Sequence, residues 1–391
     1  MNAISASRRA LCGAVTGVES VVVDGGFRNL VFVRVHTDTG LTGVGEATLE
    51  WHEPQVCAAV AALGQAIAGH DAARIEYLWQ LMFRGAFWRG GPIHLTALSA
   101  IDQALWDIKG QAASMPVYDL LGGRCRDTLE LYANGPQGID PSGCAHAAAR
   151  LVARGYRALK VCPVIPVADV DGFAAVRDTL GKVAAIRETV GPEVKLAVDL
   201  HGRTSPAMAL RIAHALADQE IWFLEEPALP DNLPGYGLVA RGTTIPLAGG
   251  ERWYTRADFR DALATGAVAL IQPDVSHCGG ISETRRIAAM AELSQVGYAP
   301  HNPLGPVGTI ASAHVGLASP NFVVLERLEG PEAPELDHLV RGQWMIADGV
   351  MIPSDTPGLG IELDWDACLA RPGKPKPLPG VRRADGTVAE W

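Results

Sequence analysis

From residue 129 onward the chain repeats one texture eight times: a short β-rich run, then an amphipathic stretch of ten or more residues. The runs are Leu129–Ala133, Arg157–Cys162, Val194–Asp199, Ile221–Glu225, Pro246–Glu251, Val268–Asp274, Gly297–His301 and Phe322–Glu326. The last six finish on an ionisable residue, namely Asp199, Glu225, Glu251, Asp274, His301 and Glu326, at spacings of 26, 26, 23, 27 and 25. One βα unit of a barrel uses roughly that many residues, so the six side chains are predicted at one height, on the C-terminal mouth where barrel chemistry sits. A single polar residue at a strand end is ordinary, because the following loop is wet. Six in register are not.

The pattern predicts an α/β fold, a modified (β/α)8 TIM-type barrel over residues 126–338. Residues 1–125 read as an α+β capping domain. There Leu30–His36, the turn Asp38-Thr-Gly40 and Leu41–Glu46 form a hairpin pattern, and apolar residues at helical spacing follow from Pro54 to about Ala113. Residues 339–391 carry a second hairpin pattern, Trp344–Ile352, and a Pro-rich tail predicted to return to the cap.

Composition narrows the function. With 33 Lys+Arg against 43 Asp+Glu the net charge is −10, which argues against nucleic acid or an anionic membrane surface as partner. The longest stretch free of Asp, Glu, Lys and Arg, Leu293–Leu325, is broken by Pro, Gly, Ser, His and Asn, so no transmembrane span is predicted. Arg8-Arg9 has the outline of an export leader, but Glu19 ends the mildly apolar stretch after it, and Val21–Asp24 reads as the end of a first strand. Seven scattered cysteines without a C-x-x-C pair fit reduced thiols in a cytoplasmic protein.

Three carboxylates converging from adjacent strands stay ionised in a water-poor pocket only beside a cation. Asp199, Glu225 and Glu251 are therefore the candidate ligands of one hard divalent ion. All-oxygen ligation suits Mg²⁺ better than Zn²⁺. Asp274, on the strand neighbouring His301, can fix the tautomer of that histidine and raise its basicity, which makes His301 a candidate general base. His201, two residues after Asp199, points towards the same site and can serve as acid or base on the opposite face.

At these residues the chain resembles the mandelate-racemase subgroup of the enolase superfamily, and within it the galactonate dehydratases. The resemblance rests on Phe87-Trp-Arg-Gly-Gly-Pro-Ile93, Ile101–Gly110, Asp199-Leu-His-Gly-Arg203, Leu224-Glu-Glu-Pro227, Gly249-Gly-Glu-Arg252, Gln272–Gly280, Ala299–Pro306, Pro357–Glu362 and Val388–Trp391. It implies one Mg²⁺ per subunit on Asp199, Glu225 and Glu251. It also implies His301 with Asp274 as the base that removes a C2 proton, His201 as the acid at the C3 hydroxyl, and Glu326 as a partner of the substrate carboxylate. The implied reaction is loss of water from an aldonate to give a 2-keto-3-deoxy acid. C2 racemisation or epimerisation, or dehydration of another sugar acid, is the alternative on the same scaffold. Related racemases carry Lys-x-Lys on the second strand and galactonate dehydratases resemble Lys-x-Asn; here the chain has Lys160-Val-Cys162. The missing second lysine argues against lysine-based racemisation. The subgroup implies a small sugar acid as partner and a symmetric homo-oligomer, such as an octamer.

Other residues carry two readings. Arg203 either clamps the distal part of a substrate or pairs with the acids. Lys160 either meets the substrate carboxylate or pairs with Asp199 or Glu225. Cys162 stands where a substrate contact is expected. Arg28 and Trp51 fall in cap loops that the family analogy makes specificity candidates. His277 and Cys278 read as hydrogen-bonding residues, and Gly43-Val-Gly-Glu46 lacks the following helix of a nucleotide loop.

Overall fold

The structure is a computed structural model and describes residues 11–135, 140–164, 167–330, 336–342, 344–383 and 385–390. Arg8-Arg9 and Trp391 lie outside them. The chain begins with an antiparallel meander of β1 (Val15–Asp24), β2 (Asn29–Thr37) and β3 (Thr42–Glu46). Three helices follow, Glu53–Ile67, Ile75–Arg84 and Pro92–Ala113. The 22-residue third helix lies so close to β3 that a Cβ on Gly43 or Gly45 would stand 2.0 Å from the carbonyl oxygens of Ala104 and Ala100. Close backbone approach, and not a bound nucleotide, is why those two positions carry no side chain.

Eight parallel strands then build the barrel: β4 (Leu129–Asn134), β5 (Ala158–Val161), β6 (Lys195–Asp199), β7 (Ile221–Glu225), β8 (Leu247–Gly249), β9 (Leu270–Ile271), β10 (Gly297–Tyr298) and β11 (Leu325–Leu328). Neighbours in sequence pair in space from β4 to β10, a bridge between Tyr298 and Phe322 joins β10 to the last unit, and β11 pairs with β4 to close the cylinder. Tyr132, Ala158, Ala197, Phe223, Ala248, Leu270, Ala299 and Val324, one from each unit, form a single buried cluster, large against small. Their alternates, among them Leu131, Leu159, Leu196, Val198 and Leu224, belong instead to the larger core that includes the helices.

Seven of the eight strands are followed by a helix, the last being Pro306–Ala318. After β11, among the described residues, only a 3₁₀ turn at Asp337–Leu339 intervenes before the next strand. Among the described residues, then, no α-helix stands between β11 and the next strand. The hairpin Met345–Ala347/Val350–Ile352 forms where the pattern predicts one, but it pairs antiparallel with β4 of the barrel. The residues after it do reach the cap. Trp365 takes the guanidinium of Arg34 over its ring at 4.4 Å, Pro372 bridges to Val23, and Lys374 and Lys376 pair with Asp24 at 2.6 and 3.2 Å. Those ammonium groups hold the Asp24 carboxyl down at about 2. Among the described residues no helix is long and apolar enough to cross a membrane.

The cap is seated on the loops that carry the chemistry. Glu46, fully buried, accepts from the backbone N–H groups of Gly305 (2.7 Å) and Gly308 (2.9 Å), just beyond His301. The helix Pro92–Ala113 holds the loop after β9: Thr96 bonds His277 (2.9 Å), Ser99 accepts from Gly279 (2.9 Å), and Asp102 accepts from the Ser282 N–H (3.0 Å) and O–H (2.6 Å). Burial pushes the Asp102 carboxyl up to about 7. Because an unfolded aspartate titrates near 3.9, the folded chain takes up a proton there as pH falls below 7. That stability is complete below about pH 4 and is lost as pH rises through 7. Asp102→Asn, which cannot ionise, is therefore expected to be more stable than wild type at pH 8 by on the order of 2 kcal/mol, an advantage that shrinks towards pH 4. Urea unfolding across that range checks it; parallel curves for the two proteins would refute the assignment.

Candidate active site

Parallel pairing of β6 and β7 sets Asp199 directly beside Glu225, each the last residue of its strand. Glu251 lies two residues beyond β8, and one oxygen from each of the three falls within 4.8 Å of the others. Asp274 and His301 likewise follow their short strands by three residues, whereas Glu326 is the second residue of β11. Of the six positions, Asp199, Glu225 and Glu326 stand on strands, whereas at Glu251, Asp274 and His301 the loops carry the side chains.

Lys160 resolves towards ion pairing. Its ammonium, 1% exposed, lies 2.6 Å from Glu225, 3.0 Å from Glu326 and 3.4 Å from Asp199. Burial opposes the charge, but these acids keep the lysine protonated, its pKa well above the usual range. One ammonium against Asp199, Glu225, Glu251 and Glu326 leaves a net negative cluster in the mouth of the barrel. Burial and the neighbouring Asp199 charge accordingly push Glu225 well above the ordinary carboxylate range. The buried Oε2 of Glu251 accepts no hydrogen bond from the described residues. An all-oxygen donor set with excess negative charge and an unmatched buried oxygen fits a hard divalent cation.

Histidines bound the cluster at two ends. His301 Nδ1 lies 2.7 Å from Asp274 Oδ2, and its Nε2 lies 3.8 Å from Glu251 Oε2. Burial opposes the charged ring, but Glu251, Asp274 and Glu326 outweigh it and push His301 up to about 10. At the other end His201 Nε2 lies 2.9 Å from Asp199 Oδ2 and Nδ1 lies 3.2 Å from the Cys162 sulfur. Burial again opposes the charge, and Asp199 overcomes it, raising His201 well above its usual value. His201 and Glu226, each next to a cluster carboxylate or one residue from it, have left-handed backbones with φ of 48° and 40°. Side-chain-bearing residues are held there only when their surroundings over-determine them. Here the Asp199 carboxylate accepts the His201 N–H at 2.8 Å, and Arg252 grips Glu226 at 2.6 and 2.9 Å while donating to the His201 carbonyl at 3.2 Å.

Spacing missed several supports. Gln272 donates to Glu225 (2.6 Å), Asn134 and the backbone of Asn302 donate to Glu326 (2.8 and 2.7 Å), and Arg252 braces the β6 and β7 loops as described. Gln272, Arg252 and Asn302 lie inside the quoted motifs, which was the available signal; Asn134 had none. Of the lesser candidates, Arg203 donates to the Cys162 sulfur (3.4 Å) and the Val164 carbonyl (3.2 Å), so it joins the site through Cys162. Arg28 is buried in the cap, where it pairs with Glu50 and stands over Phe27, outside the carboxylate cluster. Trp51 occupies the same cap region, half-buried, with a left-handed backbone. His277 and Cys278 form hydrogen bonds to Thr96 and Thr284, the supporting role read from sequence.

Residues 20–122 match the mandelate racemase/muconate lactonizing enzyme N-terminal domain family, and residues 143–367 match the enolase C-terminal domain-like family. The D-galactonate dehydratase of Variovorax paradoxus is 40% identical over 368 residues, 92% of this chain and 96% of that protein. The D-galactonate dehydratase of Xanthomonas campestris pv. campestris is 40% identical over 369 residues, with the same coverage. Among solved structures, an enolase from Agrobacterium radiobacter bound to sodium and L-malate superposes with a TM-score of 0.88 at 31% identity, covering 97% of this chain and all of that one. An enolase from Pantoea ananatis with bound D-gluconate and magnesium gives 0.87 at 29%, with equal coverage.

Proposed function

The chain belongs to the mandelate racemase/muconate lactonizing enzyme group of the enolase superfamily, and from that premise we propose that this lyase is a Mg²⁺-dependent sugar-acid dehydratase acting on an aldonate of the galactonate kind. The observation that carries the reading is the placement of two histidines at opposite ends of one carboxylate cluster, His301 beside Glu251 and His201 beside Asp199. Asp199, Glu225 and Glu251 would hold the metal; the Pantoea enolase has D-gluconate and magnesium bound. A divalent ion there supplies positive charge opposite the substrate carboxylate, which stabilises the electron pair left when the C2 proton departs. His301 takes that proton on Nε2 while Asp274 holds Nδ1–H. His201 gives a proton to the C3 hydroxyl. The C2–H and C3–O bonds break, a C2=C3 bond forms, water leaves, and the enol tautomerises to the 2-keto-3-deoxy acid. Base and acid on opposite faces suit an anti elimination. Lys160 and Glu326, held by Asn134 and Asn302, line the carboxylate end.

We also assign the enzyme to the cytoplasm, where its free thiols stay reduced, as a homo-oligomer. The test is incubation with Mg²⁺ and a panel of aldonates and aldarates, with the 2-keto-3-deoxy product assayed. Turnover of at least one aldonate, lost in EDTA and restored by Mg²⁺, is the expected result. Silence across the panel, or full activity in EDTA, would overturn the reading.

A further inference from the structure

The barrel helices begin in two ways. Those at Pro141–Ala153, Pro206–Ala215, Leu233–Gly242 and Arg256–Ala264 are capped locally: Asp140, Ser205, Asn232 and Thr255, the residue just before each, accept the backbone N–H three residues on. The helix Pro306–Ala318, which follows the His301 loop, starts after Gly305 and has no side-chain cap of its own. Its acceptor comes from the other domain. Glu46 takes the N–H of Gly308, the same third helical position, at 2.9 Å, and that of Gly305 at 2.7 Å. Since Pro306 has no N–H, one carboxylate thereby takes two of the three donors that the first turn leaves over. Thr48 aims the group by donating to Oε1 at 2.9 Å, and Gln103 accepts the Glu46 backbone N–H at 2.9 Å. Gly305, at φ −89° and ψ −178°, has the extended backbone of an ordinary N-cap. Conformation therefore does not require glycine there; space does, because a Cβ would stand 2.6 Å from Glu46 Oε1.

His301 lies on the connection 299–305 between β10 and this helix. Its neighbour Asn302 donates its backbone N–H to Glu326 at 2.7 Å and its amide to the Glu326 carbonyl at 3.0 Å and to Thr309 Oγ1 at 2.9 Å. Thr309 in turn bonds back to the Gly305 carbonyl through its N–H (3.1 Å) and its hydroxyl (2.9 Å). The brace next to His301 thus rests in part on the turn that Glu46 caps. We infer that Glu46 is a positioning residue: it is the N-cap of the helix Pro306–Ala318, supplied in trans by the other domain, and it holds the loop that presents His301. The inference rests on the dehydratase reading for its chemical consequence, but not for its geometry. A residue that only added stability would, when lost, lower the melting temperature and leave kcat of the folded protein unchanged. Loss of a positioning residue lowers kcat with little change in KM, and slows C2 exchange and water loss together, because both start at the base.

The experiment uses the full-length Mg²⁺-loaded protein as wild type, Glu46→Gln, Glu46→Ala, Gly305→Ser, and the double variant of Glu46→Ala with Gly305→Ser. Amide hydrogen exchange is followed first. Glu46→Ala is expected to speed exchange over 302–309 by about tenfold, while 280–284, held by Asp102, keeps its protection. Gly305→Ser alone is expected to speed it too, since its Cβ meets the carboxylate. In the Glu46→Ala background the same serine has room, accepts the Gly308 N–H as a local cap, and restores slow exchange. With a substrate found in the panel, at a temperature where every variant is folded, Glu46→Ala is expected to lose about 10–100-fold in kcat with KM within about twofold. The double variant recovers most of kcat, which Gly305→Ser alone does not. Glu46→Gln keeps the shape of the side chain and one acceptor oxygen, so it folds even if the alanine variant does not, and falls between wild type and Glu46→Ala in both measurements. Unchanged exchange over 302–309 in the glutamine and alanine variants overturns the inference even if no substrate is found. So does a serine that fails to restore protection, or a wild-type kcat in variants whose melting temperature alone has fallen. A wild type silent across the panel that shows the expected exchange reversal overturns the dehydratase reading alone.

Discussion

His301→Asn is expected to lower turnover by about 10³–10⁴-fold, the full contribution of a positioned general base. The substitution is mild structurally. The ring donates to Asp274 over 2.7 Å, and an asparagine amide offers a donor to the same carboxylate. The three-carboxylate cluster, Lys160 and His201 are untouched, so metal and substrate should still bind. What disappears is the ring nitrogen Nε2 that faces the cluster. In the proposed elimination the base acts before water leaves, so deuterium exchange at C2 is expected to vanish together with product formation. A variant that kept about a tenth of the wild-type rate would remove His301 from the chemistry. One that lost turnover but retained C2 exchange would give the proton to another residue.

Lys160→Met is expected to cost about 3–5 kcal/mol of stability when divalent ions are withheld, because removing one partner of a buried ion pair strands the other charge. Here one ammonium serves Glu225, Glu326 and Asp199, all of them buried. Methionine matches the length of the lysine stem without its charge. Protonation of a stranded acid limits the loss, and Glu225, already raised by burial and by Asp199, is the first to take the proton. Added Mg²⁺ should therefore raise the melting temperature of the variant more than that of wild type, since the ion takes over neutralisation that the lysine had supplied. Equal melting of the two proteins in EDTA would show that the cluster does not depend on Lys160.

The parts of the site legible in the sequence were those encoded in chain length. A strand and its return helix consume a nearly constant number of residues, so Asp199, Glu225, Glu251, Asp274, His301 and Glu326 announce their common height by spacing alone. The cap hairpin and helices show in the periods of two and 3.6. What spacing does not encode is how far across the barrel a side chain reaches. Lys160 was legible as a strand-end lysine, but its three partners stand on β6, β7 and β11, and only closure of the cylinder brings them together. Spacing is equally silent on Arg252, Gln272, Asn134 and Asn302, of which all but Asn134 lie in the quoted motifs. That no α-helix stands between β11 and the next strand among the described residues left no mark in the spacing. The paired glycines of β3 were visible, but their cause, a helix backbone lying on the strand, was not.

The seating of the cap has a consequence for how such enzymes can be recombined. Glu46 reaches from the end of β3 to the turn that follows His301, and Asp102 reaches to the turn that follows Asp274. The two loops holding the base and its partner are thus finished by residues encoded 180 to 262 positions earlier. A chimera joining this barrel to a relative's cap would inherit a complete set of reacting groups on unfinished supports, unless Glu46 and Asp102 travelled with Gly305, Gly308 and Ser282. The heritable unit of this active site is neither domain but the joint between them.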